Sequence, residues 1–285
     1  MREIFLLESL KESRLLNMIK LKKYLIIFHH ELILAINNFQ IPFILGNQDI
    51  SARYKRSKIG AFWITINLLV FIITLSIVFG HLFQNRIEVI LPMLATGLIA
   101  WNFLSSLILE SSKAFVDSGP LILQTNTPIL AHLFRVWWRN IIIFFHNILI
   151  VPILYLFFDI EFSSHLLMFI PYFFLFNMLL IGPCIVFAIL CSRFRDISNI
   201  LNNLLQIGFY LTPILWSLDN LNSEKVKLFI YLNPFYYPVT LIQKSLLSLP
   251  VDIEIILISL LLSLLGIFFS AIFFGIYKKR IAFWL

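Results

Sequence analysis

The chain has 285 residues, of which 60% are hydrophobic and 16% aromatic, while only 13% are charged. A soluble domain is about 45–50% apolar and about 25% charged, and 30 phenylalanines are more than one water-soluble core can hide. Soluble enzymes and disordered linkers are excluded, and the net charge of +7 asks which face of a membrane holds the cations, not which nucleic acid is bound.

From the amino terminus, Met1 to Lys23 alternates short apolar patches with Glu3, Glu8, Lys11, Glu12, Arg14, Lys20, Lys22 and Lys23. No apolar run there suits a secretory signal. Residues 24–39, placed on a helical wheel, put Tyr24, Leu25, Phe28, Leu32, Ala35, Ile36 and Phe39 on one side. His30, Glu31, Asn37 and Asn38 fall opposite. This predicts an amphipathic helix lying in the membrane interface. Lys20, Lys22 and Lys23 would each add about 1 kcal/mol of attraction to anionic lipid. A further span is the competing reading, opposed by His29, His30, Glu31 and Pro42.

A helix needs roughly 20 apolar residues to cross a bilayer. Six stretches come near: Ile59 to Phe83, Val89 to Leu109, Val136 to Phe158, Leu166 to Leu190, Leu201 to Leu218 and Ile255 to Tyr277. The fifth is short and opens with Asn202, Asn203 and Gln206. With six crossings and an inner amino terminus, 18 of the 22 lysines and arginines lie inside; only Arg86, Lys225, Lys227 and Lys244 lie outside. That asymmetry is the positive-inside pattern. Losing the fifth span would put Lys278, Lys279 and Arg280 outside, so parity supports it. The predicted organisation is an inner segment with the interfacial helix (1–58), a six-helix membrane domain (59–277) and an inner tail (278–285).

Chemistry-bearing motifs are few. None of the nine glycines is followed by lysine, so no phosphate-cradling Walker loop exists and ATP hydrolysis must come from another chain. Ionisable residues inside the spans, the mark of ion coupling, are nearly absent. His146 is the main exception and reads as bonded to a neighbouring helix. Cys184 and Cys191 form neither a disulfide framework nor a zinc spacing. No catalytic or metal-binding residue and no cofactor of this chain's own is expected.

The basic loop Arg53-Tyr54-Lys55-Arg56-Ser57-Lys58 adjoins the first span, followed by Ile59-Gly60-Ala61-Phe62-Trp63. Four cations at a helix start pin it to the inner leaflet. The order of residues says more: Arg53 to Trp63 resembles the R-Y-[KR]-x-S-x-[LI]-G-x-x-W signature of ABC exporter permeases for cell-surface polysaccharides, among them O-antigen, capsule and teichoic acid. Arg193-Phe194-Arg195-Asp196-Ile197 is similar to that family's [RK]-[FY]-R-D-[IVL] turn, and Gln206 with Phe209 to Trp216 to its Q-x-x-[FM]-x-x-[ST]-P-I-x-[YW] span. Asn233-Pro234-Phe235 fits its outer-loop asparagine-proline, and Lys244 is the nearest basic residue beyond. The resemblance runs from about Tyr24 to Phe274.

It implies an all-α permease, working as a homodimer with two copies of a separate ATP-binding subunit. A lipid-linked polysaccharide would move outwards across a bacterial plasma membrane, the inner membrane in a Gram-negative cell, with both termini cytoplasmic. The substrate entrance would be Arg53, Tyr54, Lys55, Arg56, Arg195 and Asp196, whose cations suit phosphate oxygens. Arg195 and Asp196 equally suit the start of a helix, where the acid meets the dipole. Channel aromatics would be Phe62, Trp63, Tyr210 and Trp216, against the ordinary reading of an interfacial belt.

The segment from Glu110 to Arg135 turns at Gly119-Pro120 and Thr127-Pro128. The resemblance makes it the connector that docks on the ATPase, through Lys113, Asp117, Gly119, Gln124, Asn126 and Thr127. The segment Leu218 to Glu254, with Asn233 and Pro234, is too broken to span. It forms either re-entrant or interfacial helices or a loop resting on headgroups. Two other functions stay open: a permease of the same superfamily for drugs or lipids, and an integral-membrane sugar transferase. The transferase would need clustered acids for a metal, and only Asp159 with Glu161 and Asp252 with Glu254 approach that.

Overall fold

A computed structural model describes residues 2–83, 86–216, 218 and 223–285, without the side chains of 2–18 and 83. Its described helices are α1 (Arg2–Asn37), α2 (Gln40–Tyr54), α3 (Trp63–Phe83), α4 (Ile87–Asp117), α5 (Gly119–Gln124), α6 (Ile129–Ile148), α7 (Ile150–Phe157), α8 (Phe169–Arg193), α9 (Ile197–Leu211), α10 (Glu224–Tyr231), α11 (Tyr236–Leu246) and α12 (Ile253–Trp284). Among the described residues there is no strand, so the protein is an all-α membrane protein.

Among the described residues five helical stretches are long and apolar enough to cross a bilayer: Gly60–Leu82, Ile87–Asp117, Ile129–Phe157, Ser164–Arg193 and Ile253–Trp284. They match the first four predicted spans and the sixth. The predicted fifth span, Leu201 to Leu218, does not form as one helix. α9 has 15 residues, about 22 Å at 1.5 Å per residue, and Thr212-Pro213 stops it. There Thr212 donates to the Gly208 carbonyl and accepts from Asn233 Nδ2; Ser217 lies outside the described residues. The chain nevertheless changes ends across this region. Arg193, just before α9, stacks on Trp284 at the end of α12. Ser248, just before α12, bonds Tyr155 and Ser163 at the opposite end of the bundle.

α4 is the central post, buried along most of its length, with α3, α6, α8, α9 and α11 around it. The largest helix interface joins α8 to α12. It depends on glycine, because a Cβ on Gly182 would stand 2.7 Å from the Gly266 carbonyl. Small residues permit such close crossings, and dispersion rather than water exclusion rewards them inside lipid.

The amino-terminal helix packs differently from the prediction. Its buried face is Phe28, Glu31 and Ala35, whereas Ile36 and Phe39 are exposed. Glu31, expected on the polar side, is 3% exposed because it pairs with Lys278 at 2.5 Å and accepts from the Ile129 amide at 2.5 Å. Gly275 lets the Tyr24 backbone lie against α12, and Phe28 meets Phe274 edge-on at 5.8 Å. The segments carrying both termini therefore sit at one end, beside the α4–α6 connector, where Gly119 lies under Leu285. α12 continues through Lys278, Lys279 and Arg280 to Trp284 as helix.

Arg53 and Tyr54, expected in the basic loop, close α2, whose Pro42, Gly46 and Ile50 bury against α6. Beyond the membrane helices, α10 and α11 form a broken return before α12, and α11 is buried on nearly every residue. Both are helices, as the re-entrant or interfacial reading expects, and the enclosure of α11 is at odds with a loop resting on headgroups.

Candidate functional site

The basic motif starts on the last turn of α2 and crosses to α3 through a left-handed Gly60 at φ 65°, a conformation that favours glycine. Arg53, Lys55 and Arg56 are exposed and make no ion pair among the described residues; Tyr54 is half-buried. Phe62 and Trp63 are exposed at the head of α3, with Phe62 edge-on to His146 at 6.3 Å. His146 bonds the carbonyl of Ile142 on its own helix rather than a neighbouring one, since the i−4 carbonyl lies within reach of its Nδ1. Its own carbonyl accepts from Thr65.

What holds α2 and the basic motif in place is a chain of charges that the sequence reading did not assemble. Asp49 on α2 accepts from Arg135 at 2.6 and 2.9 Å and from Arg139 at 2.7 Å. Arg139 also donates to Glu110 on α4 at 2.8 Å, and Asn140 joins Glu110 at 2.7 Å and Ser106 at 2.6 Å. Burial disfavours the charged form of Asp49. The hydrogen bonds and positive charges of Arg135 and Arg139 outweigh that and hold its carboxyl below the ordinary value. Two carboxylates and two guanidiniums tie α2 to the two helices flanking the connector.

Beside this network a polar cleft of about 360 Å³ opens between α3, α4 and α6, with Arg53 at its lining. Asn67, Asn102, Ser106, Glu110 and Asn147 also line it. Each of the first three predicted spans carries a lining asparagine, and polar groups inside apolar spans were the available signal.

Arg195 and Asp196 are exposed at the start of α9. Asp196 occupies the N-cap position but makes no side-chain cap bond, its backbone being already helical, so it meets the helix dipole by position alone. No hydrogen bond or ion pair among the described residues joins this turn to the basic motif within one chain. α9 buries Leu201, Leu205 and Gly208 and exposes Asn199, Asn202, Asn203, Gln206 and Tyr210. Trp216 folds back to donate to the Tyr210 carbonyl at 3.3 Å. Asn233 bonds Thr212 and caps Phe235, with Pro234 at the turn.

In the connector, Lys113, Asp117, Gln124 and Asn126 are exposed, as is Leu123. Gly119 is buried and Thr127 is tied to Thr125 and His132, so those two shape the loop rather than present a docking surface. Lys244 pairs with Asp252 at 2.8 Å, which holds the Asp252 carboxyl below its ordinary value. Among the described residues no group of three or more His, Cys, Asp or Glu side chains gathers as metal ligands would.

Comparison with known proteins follows the same outline. Residues 43–247 match the model of the ABC-2 type transporter family. The chain is similar to an O-antigen export system permease protein RfbA of Klebsiella pneumoniae, 26% identical over 201 residues, covering 69% of this chain and 76% of that protein. It is also similar to an RfbA permease of Myxococcus xanthus, 22% identical over 200 residues, covering 70% and 77%.

Proposed function

We propose, because this chain belongs to the ABC-2 type transporter family, that it is the membrane-spanning permease of a cell-surface polysaccharide exporter of the O-antigen type. It is a transport subunit, and a separate ATP-binding chain supplies the hydrolysis. In the finer reading, two copies of each assemble, both termini face the cytoplasm, and a lipid-linked glycan passes outwards across the bacterial plasma membrane.

One observation carries the transport path: the amide-rich face of α9, formed by Asn199, Asn202, Asn203 and Gln206, is exposed. Polar side chains on a membrane helix face protein or water rather than lipid. A second copy of the chain apposed on α9 and α3 would enclose that face together with Tyr210, Phe62 and Trp63, giving sugar rings amides to bond and aromatic planes to slide over. It would also bring Arg195 and Asp196 of one copy towards Arg53, Lys55 and Arg56 of the other, where the cations would meet lipid-linked phosphate.

The drive enters at the connector. Lys113, Asp117, Leu123, Gln124 and Asn126 meet the partner, and movement of α4 and α6 reaches α2 through Glu110, Arg139 and Asp49. Removing the chain from its host tests the reading: surface polysaccharide is lost while its lipid-linked form accumulates inside. Surface polysaccharide at the parental level without the chain would overturn it.

A further inference from the structure

We infer that the cleft between α3, α4 and α6 is a binding subsite for a neutral hexopyranose unit, formed by residues of one chain. This inference rests on the export reading above. Asn147 is 4% exposed, lines the cleft, and its Oδ1 has no hydrogen-bond partner among the described residues. The amides of Asn67 and Asn102, also lining it, make no side-chain hydrogen bond among the described residues.

A buried carboxamide without a partner costs stability, and it does so most inside a membrane helix. Asn147 is therefore a liability for the fold and an asset only for a ligand, and the half-buried Asn102 and exposed Asn67 set two further free amides around the same cleft. Terminal amide torsions are soft, so each can present either its acceptor or its donors.

The cleft's chemistry selects the ligand class. Glu110 Oε2 is already occupied by Arg139 and Asn140, so the carboxylate is neutralised and gives little hold on a cation. Arg53 is the one cation in the lining among the described residues, which places any anion there rather than among the amides. An acyl chain would leave the amides unpaired. A hexopyranose matches: its hydroxyls both donate and accept, and its C–H face packs on Phe71 and Leu68. The volume of about 360 Å³ is at the small end of ligand sites, the scale of a sugar unit rather than a drug. Arg53 would then meet the phosphate joined to that sugar.

The test uses the full chain in host cells lacking the native copy. Asn102→Leu and Asn147→Leu are near-isosteric and remove only polarity. Each should lower surface polysaccharide roughly tenfold when substrate is limiting, the effect of one lost ligand hydrogen bond leaving its partner bare. The melting temperature of the purified variants should stay level or rise, because the unpaired amide is gone. In a second arm, Phe71→benzoylphenylalanine is irradiated in cells, and the adduct should carry glycan. Unchanged export in both leucine variants, a melting temperature that falls along with export, or an adduct of phospholipid alone would each overturn the subsite. Failure of the export reading is distinguishable: surface polysaccharide would then survive loss of the whole chain.

Discussion

Replacing Arg139 by methionine isolates the charge network that holds α2 to the bundle. In the parent, Arg139 reaches Asp49 at 2.7 Å and Glu110 at 2.8 Å, with side chains 18–27% exposed. The variant leaves Asp49 with Arg135, but Glu110 keeps only Asn140 and Ser106's neighbour network, and the cluster gains a net negative charge. Breaking one partner of a fully buried pair costs about 3–5 kcal/mol. Residual solvent contact lowers that to about 2–3 kcal/mol, a fall in melting temperature of roughly 5–10 °C for a chain of this size. Arg139→Lys keeps charge but loses the fork that serves two carboxylates at once, and should fall between. Adding Glu110→Gln to Arg139→Met should restore at least about 1 kcal/mol, since adjacent charges couple. Thermal unfolding of the purified variants followed by size-exclusion chromatography measures this. Arg139→Met as stable as the parent, or a double-mutant cycle with no coupling, would refute the network's role.

Gly182→Ala should destabilise by about 1–3 kcal/mol, because its methyl meets Gly266 backbone at 2.7 Å, whereas Gly266→Ala, 3.8 Å from Gly182 Cα, should be neutral or better. Paired melting curves check the asymmetry. Asp49 titrates below its ordinary 3.8 in the folded chain, so its stabilisation is present above that value and disappears as pH falls through the lowered one. Asp49→Asn should therefore melt below the parent at pH 7, and denaturation curves should converge as the pH drops below about 4. Gln124→Ala with Asn126→Ala should leave the unfolding free energy within about 0.5 kcal/mol of the parent yet weaken capture of the ATP-binding partner in pull-down.

Local signals carried most of the architecture. Apolar length marked four spans and the last, Gly119-Pro120 and Thr127-Pro128 marked the connector, and cation placement required the chain to end where it began. The errors differ in cause. α9 stops at Thr212 because Pro213 follows and drives Thr212 into an extended backbone, and Asn233, twenty-one positions on, bonds the hydroxyl there. Glu31 is inside because Lys278 and the Ile129 amide come to it, and no helical wheel contains either. Likewise Asn67, Asn102 and Asn147 were visible as single polar residues in greasy stretches, but only the packing of α3, α4 and α6 puts them around one cleft. The motif turn at Arg195 and the basic loop were legible as motifs; that no hydrogen bond or ion pair among the described residues joins them within one chain was not.

The central claim is that this chain conducts and another chain drives. Proteoliposomes loaded with lipid-linked polysaccharide on one face, and probed on the other with a glycan-cleaving enzyme, measure it directly. Movement that needs ATP, this chain and its ATP-binding partner together is the result predicted. ATP-dependent movement with this chain alone, or equal movement when it is left out, would contradict the account.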